Sequence, residues 1–258
     1  MSYLIVAGGG KFGKKALEYA IKNTYKIILI DNDPYCICAS YADNKFDILN
    51  EFYSKIKDMK AGNFFFLIHD ISIINDLFFK INPEYIIPVV PIHLLAYIVS
   101  DFLKQKKGWN LISDSKSALS FINKANSDLI LSYNLEQGIV YLSYCKIDEI
   151  CPDDCVGPEN YCPNFKREKP ITITKYLQNY FHLTNHFRFI EEKPLTVIIV
   201  GESYQLMGGL GGLKGIDIYN FLKKLEHILD TTSNQNYKFI IATTCNCHGV
   251  INFYKQSP

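Results

Sequence analysis

Short apolar runs alternate with segments of helical periodicity over the first 113 residues. The apolar runs predict buried strands at 2–8, 26–31, 63–70, 84–90 and 109–113. The segments between them predict helices at 11–23, 72–81 and 91–105, with a short helix and then a longer one near 48–59 within residues 35–60. Strands that alternate with helices in this way are typical of a parallel sheet with right-handed crossovers. The pattern therefore predicts an α/β domain over residues 1–113.

The pattern changes after residue 113. Residues 129–145 read as two strands around a turn at 134–138, which is a hairpin and not a crossover. Further elements are predicted as a helix near 174–181, a strand at 195–201, a glycine-rich loop at 207–215, a helix at 216–230 and a strand pair at 237–254. We predict a second, smaller α+β domain over residues 114–258. No low-complexity linker marks the boundary, so a core shared by the two halves is compatible with the sequence.

Composition narrows the class of protein. The chain has 258 residues, of which 48% are hydrophobic and 21% charged, and its formal net charge is +1. This balance is typical of a globular protein and argues against nucleic-acid binding through a broad positive field. The longest apolar run, 85–99, is interrupted by Pro88, Pro91 and His93 and is shorter than the ~20 residues of a spanning helix. We expect a cytoplasmic protein without membrane insertion.

A glycine motif follows the first strand. Residues 8–13, GGGKFG, place Gly8, Gly10 and Gly13 around Lys11 and Phe12, where the strand ends and a helix begins. In the Rossmann-like fold such glycines allow a tight turn, close approach of a pyrophosphate and close packing of helix and strand, and the helix N-terminus attracts the phosphates. The alternative is a glycine turn in a domain that binds no nucleotide.

The end of the second strand indicates which nucleotide would bind. Asp31 and Asn32 lie there, and the Asp31 carboxylate can accept both hydroxyl groups of an adenosine ribose. A 2′-phosphate would be repelled by that carboxylate, and no arginine lies in DNDPY (31–35). The sequence therefore predicts NAD(H) in preference to NADP(H).

The stretch from IVAGGGKFGKKALEYA to IILIDNDP resembles the nucleotide-binding domain of bacterial potassium-uptake regulators and related channel subunits. Asp31, Asp33 and Pro34 match that family's Asp-x-Asp-Pro pattern. Asp70 and Ser72 match its Gly-Asp-Ala-Thr-like turn in type, whereas His69 replaces the glycine. The resemblance covers about residues 2–100 and implies the fold and a nucleotide cofactor, with Asp70 on the adenine side.

Two side chains are candidates for catalysis. His93 follows the fourth strand, where it would face the cofactor crevice as a proton donor or acceptor, or would only bond to backbone at a helix start. Lys214 lies in the glycine-rich segment 207–215 and is a candidate contact for an anion. That segment reads either as a flexible lid over a substrate or as a plain mobile loop.

Three cysteines lie within CPDDCVGPENYCP (151–163), and two more lie in CNCH (245–248). In a reducing compartment, clustered thiols more often ligate metal or perform redox chemistry than form disulfides. We predict a Cys-rich metal-binding loop whose ligands are drawn from Cys151, Cys155, Cys162, Cys245 and Cys247. Zinc and a [4Fe–4S] cluster both accept four thiolates. His248 is an alternative fourth ligand, and reduced thiols without metal are the remaining interpretation.

Two functions fit these features. The first is an NAD(H)-dependent oxidoreductase acting on a small molecule bound between the two halves, with a Cys-ligated metal that relays electrons or fixes the second domain. The second is a regulatory protein that senses NAD(H) or redox state without catalysis. In the first case the partner is a substrate and in the second an effector. A homodimer is compatible with either.

Overall fold

The computed structural model describes residues 2–232 and 236–257. Its contacts divide the chain into two units. The first unit comprises the residues up to Leu94 together with Tyr204–Ile216, and the second comprises Leu95–Ser203 and the residues from Asp217 onward. The sequence-based division fell at 113/114, within the second unit.

Helices and strands of both units form a mixed α/β protein, as predicted at that level. The described strands are β1 Tyr3–Ala7, β2 Lys26–Asp31, β3 Asn44–Phe46, β4 Phe64–Ile68, β5 Tyr85–Pro88, β6 Leu111–Ser113, β7 Ile130–Asn134, β8 Ile139–Ser143, β9 Tyr161–Cys162, β10 Arg167–Glu168, β11 Phe187–Ile190, β12 Leu195–Met207, β13 Leu210–Lys214, β14 Tyr237–Thr244 and β15 His248–Gln256. The described α-helices are α1 Lys11–Lys22, α2 Leu49–Lys55, α3 Ile74–Ile81, α4 Leu94–Lys107, α5 Ser115–Lys124, α6 Ile173–Tyr180 and α7 Gly215–Thr231.

The first unit is built on a parallel sheet. Its strand order is β3-β4-β2-β1-β5, followed by β13, which pairs with β5 in the antiparallel direction. The central strands β1 and β2 are buried along almost their whole length, which explains why their sequences are continuous apolar runs and do not alternate. Helix α1 buries Ala16, Leu17 and Ala20 in the same core.

The glycine-rich segment at 207–215 is not a loop, so the predicted lid or mobile loop is wrong. A two-residue turn at 208–209, with Gly209 at φ +68°, leads directly into strand β13. A Cβ on Gly215 would lie 1.8 Å from the Pro83 carbonyl oxygen, and one on Gly212 would lie 2.8 Å from Leu206. Here the glycines permit close packing, which a sequence pattern does not distinguish from anion binding.

The second unit is mostly antiparallel. Strands β12, β14, β15, β8 and β7 lie in that order, and only the β12–β14 pair is parallel. The predicted hairpin at 129–145 and the strand pair at 237–254 are confirmed as β7–β8 and β14–β15. The core of this unit surrounds Phe121, whose ring contacts those of Tyr180, Phe181 and Phe253.

Some local predictions need correction. The strand at 109–113 is predicted to continue the first parallel sheet, but β6 pairs with β15 in the antiparallel direction. Helix α5 and strands β3, β9, β10 and β11 were not predicted. Strand β3 has only three residues, of which only Phe46 is buried, so it carries no periodic signal.

No helix in the described ranges is both long enough and apolar enough to cross a membrane.

Asp114 holds the start of α5. Its Oδ1 accepts the Ser117 backbone N–H at 3.2 Å, and its Oδ2 accepts the Ser117 hydroxyl at 2.6 Å and lies 2.9 Å from Lys238 Nζ. Burial alone would raise the pKa of Asp114, but the bonds from Ser117 and Lys238 outweigh it, so the pKa lies below its usual range.

Replacing Asp114 with Ala is expected to lower the free energy of unfolding by about 2–3 kcal/mol, because a helix cap and a charge-assisted bond are both lost. Since folding lowers this pKa, the stabilisation is present above the ordinary pKa near 4 and disappears as pH falls through the folded value. Urea unfolding of Asp114→Ala and of the exposed control Asp148→Ala at pH 7 and pH 3 measures both effects. An equal loss in both variants at pH 7 would contradict the assignment.

Candidate functional sites

A cleft of about 420 Å³ lies in the first unit at the carboxyl ends of its parallel strands. The segments that follow β1, β2, β4 and β5 each contribute to its walls. Ligand sites in open α/β sheets are found at this edge. The lining residues are Gly8, Gly9, Gly10, Ile30, Asp31, Asn32, His69, Asp70, Ile71, Val89, Val90, Pro91 and Ile92.

Two glycines of the motif are required by packing. Gly8 has φ +108°, and a Cβ there would lie 2.6 Å from the Val89 carbonyl oxygen. A Cβ on Gly13 would lie 2.3 Å from the Gly8 carbonyl oxygen, so helix α1 approaches the strand end as closely as backbone atoms allow. The roles predicted for these two positions, a tight turn and close packing, agree with this geometry.

Gly10 is different, because nothing in the protein requires a glycine there. A Cβ at this position would meet no heavy atom within 4 Å. Its φ of −77° is open to any residue, and it begins α1 without a side-chain cap. The space over Gly10 belongs to the cleft, so a glycine at this position keeps the backbone accessible from the cleft.

Asp31 shapes the glycine loop from the end of β2. Its Oδ2 accepts the Gly9 backbone N–H at 2.6 Å, and its Oδ1 accepts the Asp33 backbone N–H at 2.9 Å. Each carboxylate oxygen can accept a second hydrogen bond. Asp31 therefore holds the loop in place and keeps acceptor capacity toward the cleft that it lines.

The segment after β4 supplies two polar groups. Asp70 accepts the Ser72 backbone N–H at 2.8 Å, and this bond is the main reason that its pKa lies below the ordinary value. His69 Nδ1 lies 2.9 Å from the Asp70 carbonyl oxygen. Asp70 therefore stays ionised and adds a second negative charge to the cleft wall. The lining residues include no arginine that would offset this charge.

Not every predicted residue lies on this cleft. Lys11, Phe12 and Gly13 belong to the first turn of α1 and are not among the lining residues. His93 precedes α4, next to the lining residue Ile92. Lys214 ends β13, where its Nζ lies 3.7 Å from the ring centroid of Tyr204. The predicted catalytic roles of His93 and Lys214 remain predictions.

A group of three metal-ligand side chains lies in the second unit. The sulfur atoms of Cys145 and Cys151 are 3.0 Å apart, and His248 Nε2 lies 3.9 Å from the first and 3.7 Å from the second. Within the described part of the chain, these three residues form a group of possible metal ligands whose ligand atoms all lie within 4.8 Å of one another.

Strand pairing brings Cys145 and His248 together. Cys145 lies two residues beyond Ser143, the last residue of β8, and Ser143 is the register partner of His248 at the start of β15. The Tyr144 backbone N–H donates to the Cys247 carbonyl at 3.1 Å, which continues the contact beyond the strands. Because this register is fixed along two buried strands, both side chains emerge at the same end of the sheet.

Two contacts fix the segment that carries Cys151. Arg167 donates two hydrogen bonds to Glu149, at 2.7 and 2.8 Å, and a further one to the Tyr144 carbonyl. The Arg167 guanidinium lowers the pKa of Glu149 to about 2. The Asn246 side chain donates to the Gly157 carbonyl at 2.8 Å and joins the cysteine-rich loop to the turn between β14 and β15.

The other predicted metal ligands surround this group without joining it. Cys245 Sγ lies 3.9 Å from His248 Nδ1, on the opposite side of the ring from Cys145 and Cys151. Cys155 Sγ accepts the Gly157 backbone N–H at 3.4 Å, and Cys162 is buried in β9. The structure thus differs from the predicted ligand set, because it places Cys145 and His248 beside Cys151.

A buried lysine accompanies these thiols. Lys169 is 1% exposed, and its ammonium donates to the Pro158 carbonyl and to Cys247 Sγ, the latter at 3.0 Å. Burial raises the pKa of Cys247, and the charge of Lys169 opposes that effect.

The pKa of Cys151 and that of His248 move in opposite directions. Burial, followed by the neighbouring Cys145, raises the pKa of Cys151 to about 12. Desolvation by surrounding atoms, followed by the charge of Lys169, lowers the pKa of His248. The imidazole is therefore neutral at pH 7, which is the form that binds metal.

A second cleft, of about 470 Å³, lies in the same unit. Lys146 and Arg167 supply positive charge to its wall, and Tyr144, which precedes Cys145, also lines it.

The sequence matches two family models. Residues 97–257 match a model described as "Uncharacterized protein, C-terminal domain", and residues 3–94 match one described as "Uncharacterized protein, N-terminal domain". The chain belongs to this family. The two matches divide the chain between residues 94 and 97, next to the division of the structure at Leu94 and Leu95.

A relative from Archaeoglobus fulgidus, named "Uncharacterized protein", is 28% identical over 256 residues. The match covers 98% of this chain and 99% of the relative. No solved structure matches the chain.

Both Cys145 and His248 are absent from the ligands preferred from the sequence, for a different reason in each case. Cys145 stands alone at a strand end, and its sequence offers no spacing pattern. His248 lies beside two cysteines, so a thiolate set was preferred to it. The available signal was strand pairing. The strand that ends two residues before Cys145 pairs in the antiparallel direction with the strand that begins at His248, which places both residues at one edge.

Proposed function

We propose that this chain is an NAD(H)-binding oxidoreductase that acts on a small molecule. The observation that carries the proposal is the cleft at the carboxyl ends of the parallel strands, with the open space over Gly10 in its wall. Its volume of about 420 Å³ falls within the range of small-molecule sites. A Rossmann-like reading of the first unit accounts for the positions of Gly8, Gly10 and Gly13.

The chemistry of the lining favours NAD(H) over NADP(H). The pyrophosphate would approach Gly10 and the first turn of α1, where the helix carries partial positive charge. The adenosine ribose would lie at Asp31, whose oxygens retain acceptor capacity. A 2′-phosphate would meet the carboxylates of Asp31 and Asp70, and the lining contains no arginine or lysine to offset them.

Calorimetric titration with NADH and with NADPH tests this function directly. The parent protein is expected to bind NADH at least tenfold more tightly than NADPH. Gly10→Ala is expected to weaken NADH binding by tenfold or more, because the added methyl group lies where the pyrophosphate would approach the backbone. Lys22→Ala, at the exposed end of the same helix, is the matched control and should bind like the parent.

Asp31→Ala is a weaker test, because the loss of its bonds to Gly9 and Asp33 would also disturb the glycine loop. Absence of NADH binding in the parent protein, or equal binding of NADPH, would overturn the proposal.

A regulatory role is the second candidate, and the Asp31, Asp33 and Pro34 match to potassium-uptake regulators favours it. Oxidation of bound NADH in the presence of candidate small-molecule acceptors separates the two. Turnover supports the oxidoreductase, whereas NADH binding without turnover by any acceptor class supports the sensor.

A further inference from the structure

We infer that the second unit holds a single zinc-type metal ion on Cys145, Cys151 and His248, independently of nucleotide binding in the first unit. The inference begins from the distances among the three ligand atoms. The spacings of 3.9 and 3.7 Å from His248 Nε2 to the two sulfurs are close to the edge of a zinc tetrahedron, which is about 3.6 Å for bonds of about 2.3 Å to sulfur and about 2.0 Å to nitrogen.

The sulfur pair needs little adjustment to fit the same ion. Cys145 and Cys151 are 3.0 Å apart, and two thiolates on one zinc ion lie about 3.8 Å apart at the same bond length. Each thiol would lose its proton on binding, and the ion would then separate the two sulfurs. The loop that carries Cys151 can make such a small shift, because it is held through Glu149 and Arg167 rather than through regular sheet pairing.

The ligand types favour one ion over an iron–sulfur cluster. A mixed set of sulfur and imidazole ligands is typical of zinc. A [4Fe–4S] cluster binds its ligands through four different irons and is usually held by four thiolates. Ligand atoms that all lie within 4.8 Å of one another, one of them an imidazole nitrogen, therefore favour a mononuclear ion.

A buried lysine, Lys169, lies next to the loop that carries Cys151. Its contacts are the Pro158 carbonyl and Cys247 Sγ, and no carboxylate in the described residues forms an ion pair with it. A fully buried ammonium is costly unless negative charge lies nearby, and a Cys247 thiolate would supply that charge. Zn²⁺ with two thiolates and a neutral imidazole has no net charge, so Lys169 does not compensate the centre. Lys169 bears on the site because it holds Pro158, in the loop of Cys151, and Cys247, the neighbour of His248.

Three protein ligands leave one position of the tetrahedron for a water molecule or a small ligand. A zinc site with three protein ligands and an exchangeable fourth position is the arrangement found in catalytic centres, whereas structural centres are closed by a fourth side chain. His248 as a whole residue is exposed, although surrounding atoms desolvate its ring, so solvent reaches this end of the sheet.

Elemental analysis of the full chain, purified without oxygen and with zinc in the medium, tests the inference. About one zinc per chain is expected in the parent, and less than one fifth of that in Cys151→Ser and in His248→Gln. Cys36→Ser, which changes a thiol of the first unit, is the matched control and should retain zinc fully. Cobalt substitution should give the intense visible absorption of a tetrahedral site with sulfur ligands, and this absorption should vanish in the same two variants.

Three results would overturn the inference: a parent chain that binds no metal, a chain that carries about four iron atoms with matching sulfide, or full zinc retention in both ligand variants. Near-ultraviolet circular dichroism of each variant distinguishes loss of the site from loss of the fold. If a serine variant unfolds, the cobalt spectrum of the parent alone decides whether sulfur and nitrogen bind the ion. Because NADH binding is measured on the same preparations, a failure of this site is distinguishable from a failure of the nucleotide site.

Discussion

Gly13→Ala is expected to lower the free energy of unfolding by about 3 kcal/mol. The new Cβ would lie 2.3 Å from the Gly8 carbonyl oxygen and 3.4 Å from Cys38 Sγ. The distance to the carbonyl oxygen is far shorter than a normal contact between these atoms. Helix α1 would have to move away from β1, and forced overpacking of this kind costs about 1–3 kcal/mol and occasionally more. We expect the upper end of this energy range because the contacted oxygen belongs to the backbone and cannot rotate away.

Gly10→Ala is the matched control for this prediction. Its Cβ meets nothing within 4 Å, and only the preference for glycine over alanine at a helix N-cap is lost, which is worth about 1 kcal/mol or less. Urea unfolding of the two variants should therefore differ by about 2 kcal/mol or more. Equal stability of the two variants would mean that α1 does not approach Gly8 as closely as described. With the nucleotide titrations, the pair separates the glycine needed for folding from the one needed for binding.

Lys169→Met is expected to weaken zinc binding by tenfold to a hundredfold. Methionine matches the length and burial of the lysine stem but removes the positive charge beside Cys247. It also removes the hydrogen bond to the Pro158 carbonyl in the loop that carries Cys151, so the segments that position Cys151 and His248 are held less firmly. Loss of such outer support typically lowers metal affinity by about this factor. Competition with a chromophoric chelator measures the affinity, and NADH binding by the same variant should be unchanged.

The exposed Lys175→Met, on α6, is the control for charge removal in the same unit. It should bind zinc as the parent does. Unchanged zinc affinity in a folded Lys169→Met variant would show that the buried ammonium does not position the segments that carry Cys151 and His248. If the prediction holds, a double variant with Lys169→Met and Cys247→Ala should bind zinc no more weakly than Lys169→Met alone, because the two groups act as a pair.

The local sequence pattern was sufficient to predict the central strands of the first unit. The runs that became β1, β2, β4 and β5 are short and apolar because both faces of each central strand are buried, and such a pattern is visible without any partner. The position of the glycine motif next to Asp31 also follows from the order of the strands. The carboxyl ends of parallel strands meet at one edge, so sequence order predicts which residues line the cleft.

Pairing between distant segments decided the rest. Strand β13 carries two glycines in a stretch that resembles a loop, yet it extends a sheet. Gly212 lets it pack against Leu206, and Gly215, directly after it, lets the chain pack against Pro83. The sequence read β6 correctly as a strand, but its partner, β15, lies about 140 residues away along the chain. Strand propensity is local, whereas the choice of partner depends on contacts that no local pattern contains.

The sequence by itself determined that thiols would gather near 151–162 and 245–247, because their density there is visible by inspection. Only the tertiary structure decided which side chains meet. The β8–β15 register places Cys145 beside His248 and leaves Cys245 on the other side of the imidazole ring. A metal site depends on atoms brought within a few ångströms of one another, and the pairing of strands more than 100 residues apart sets those distances here.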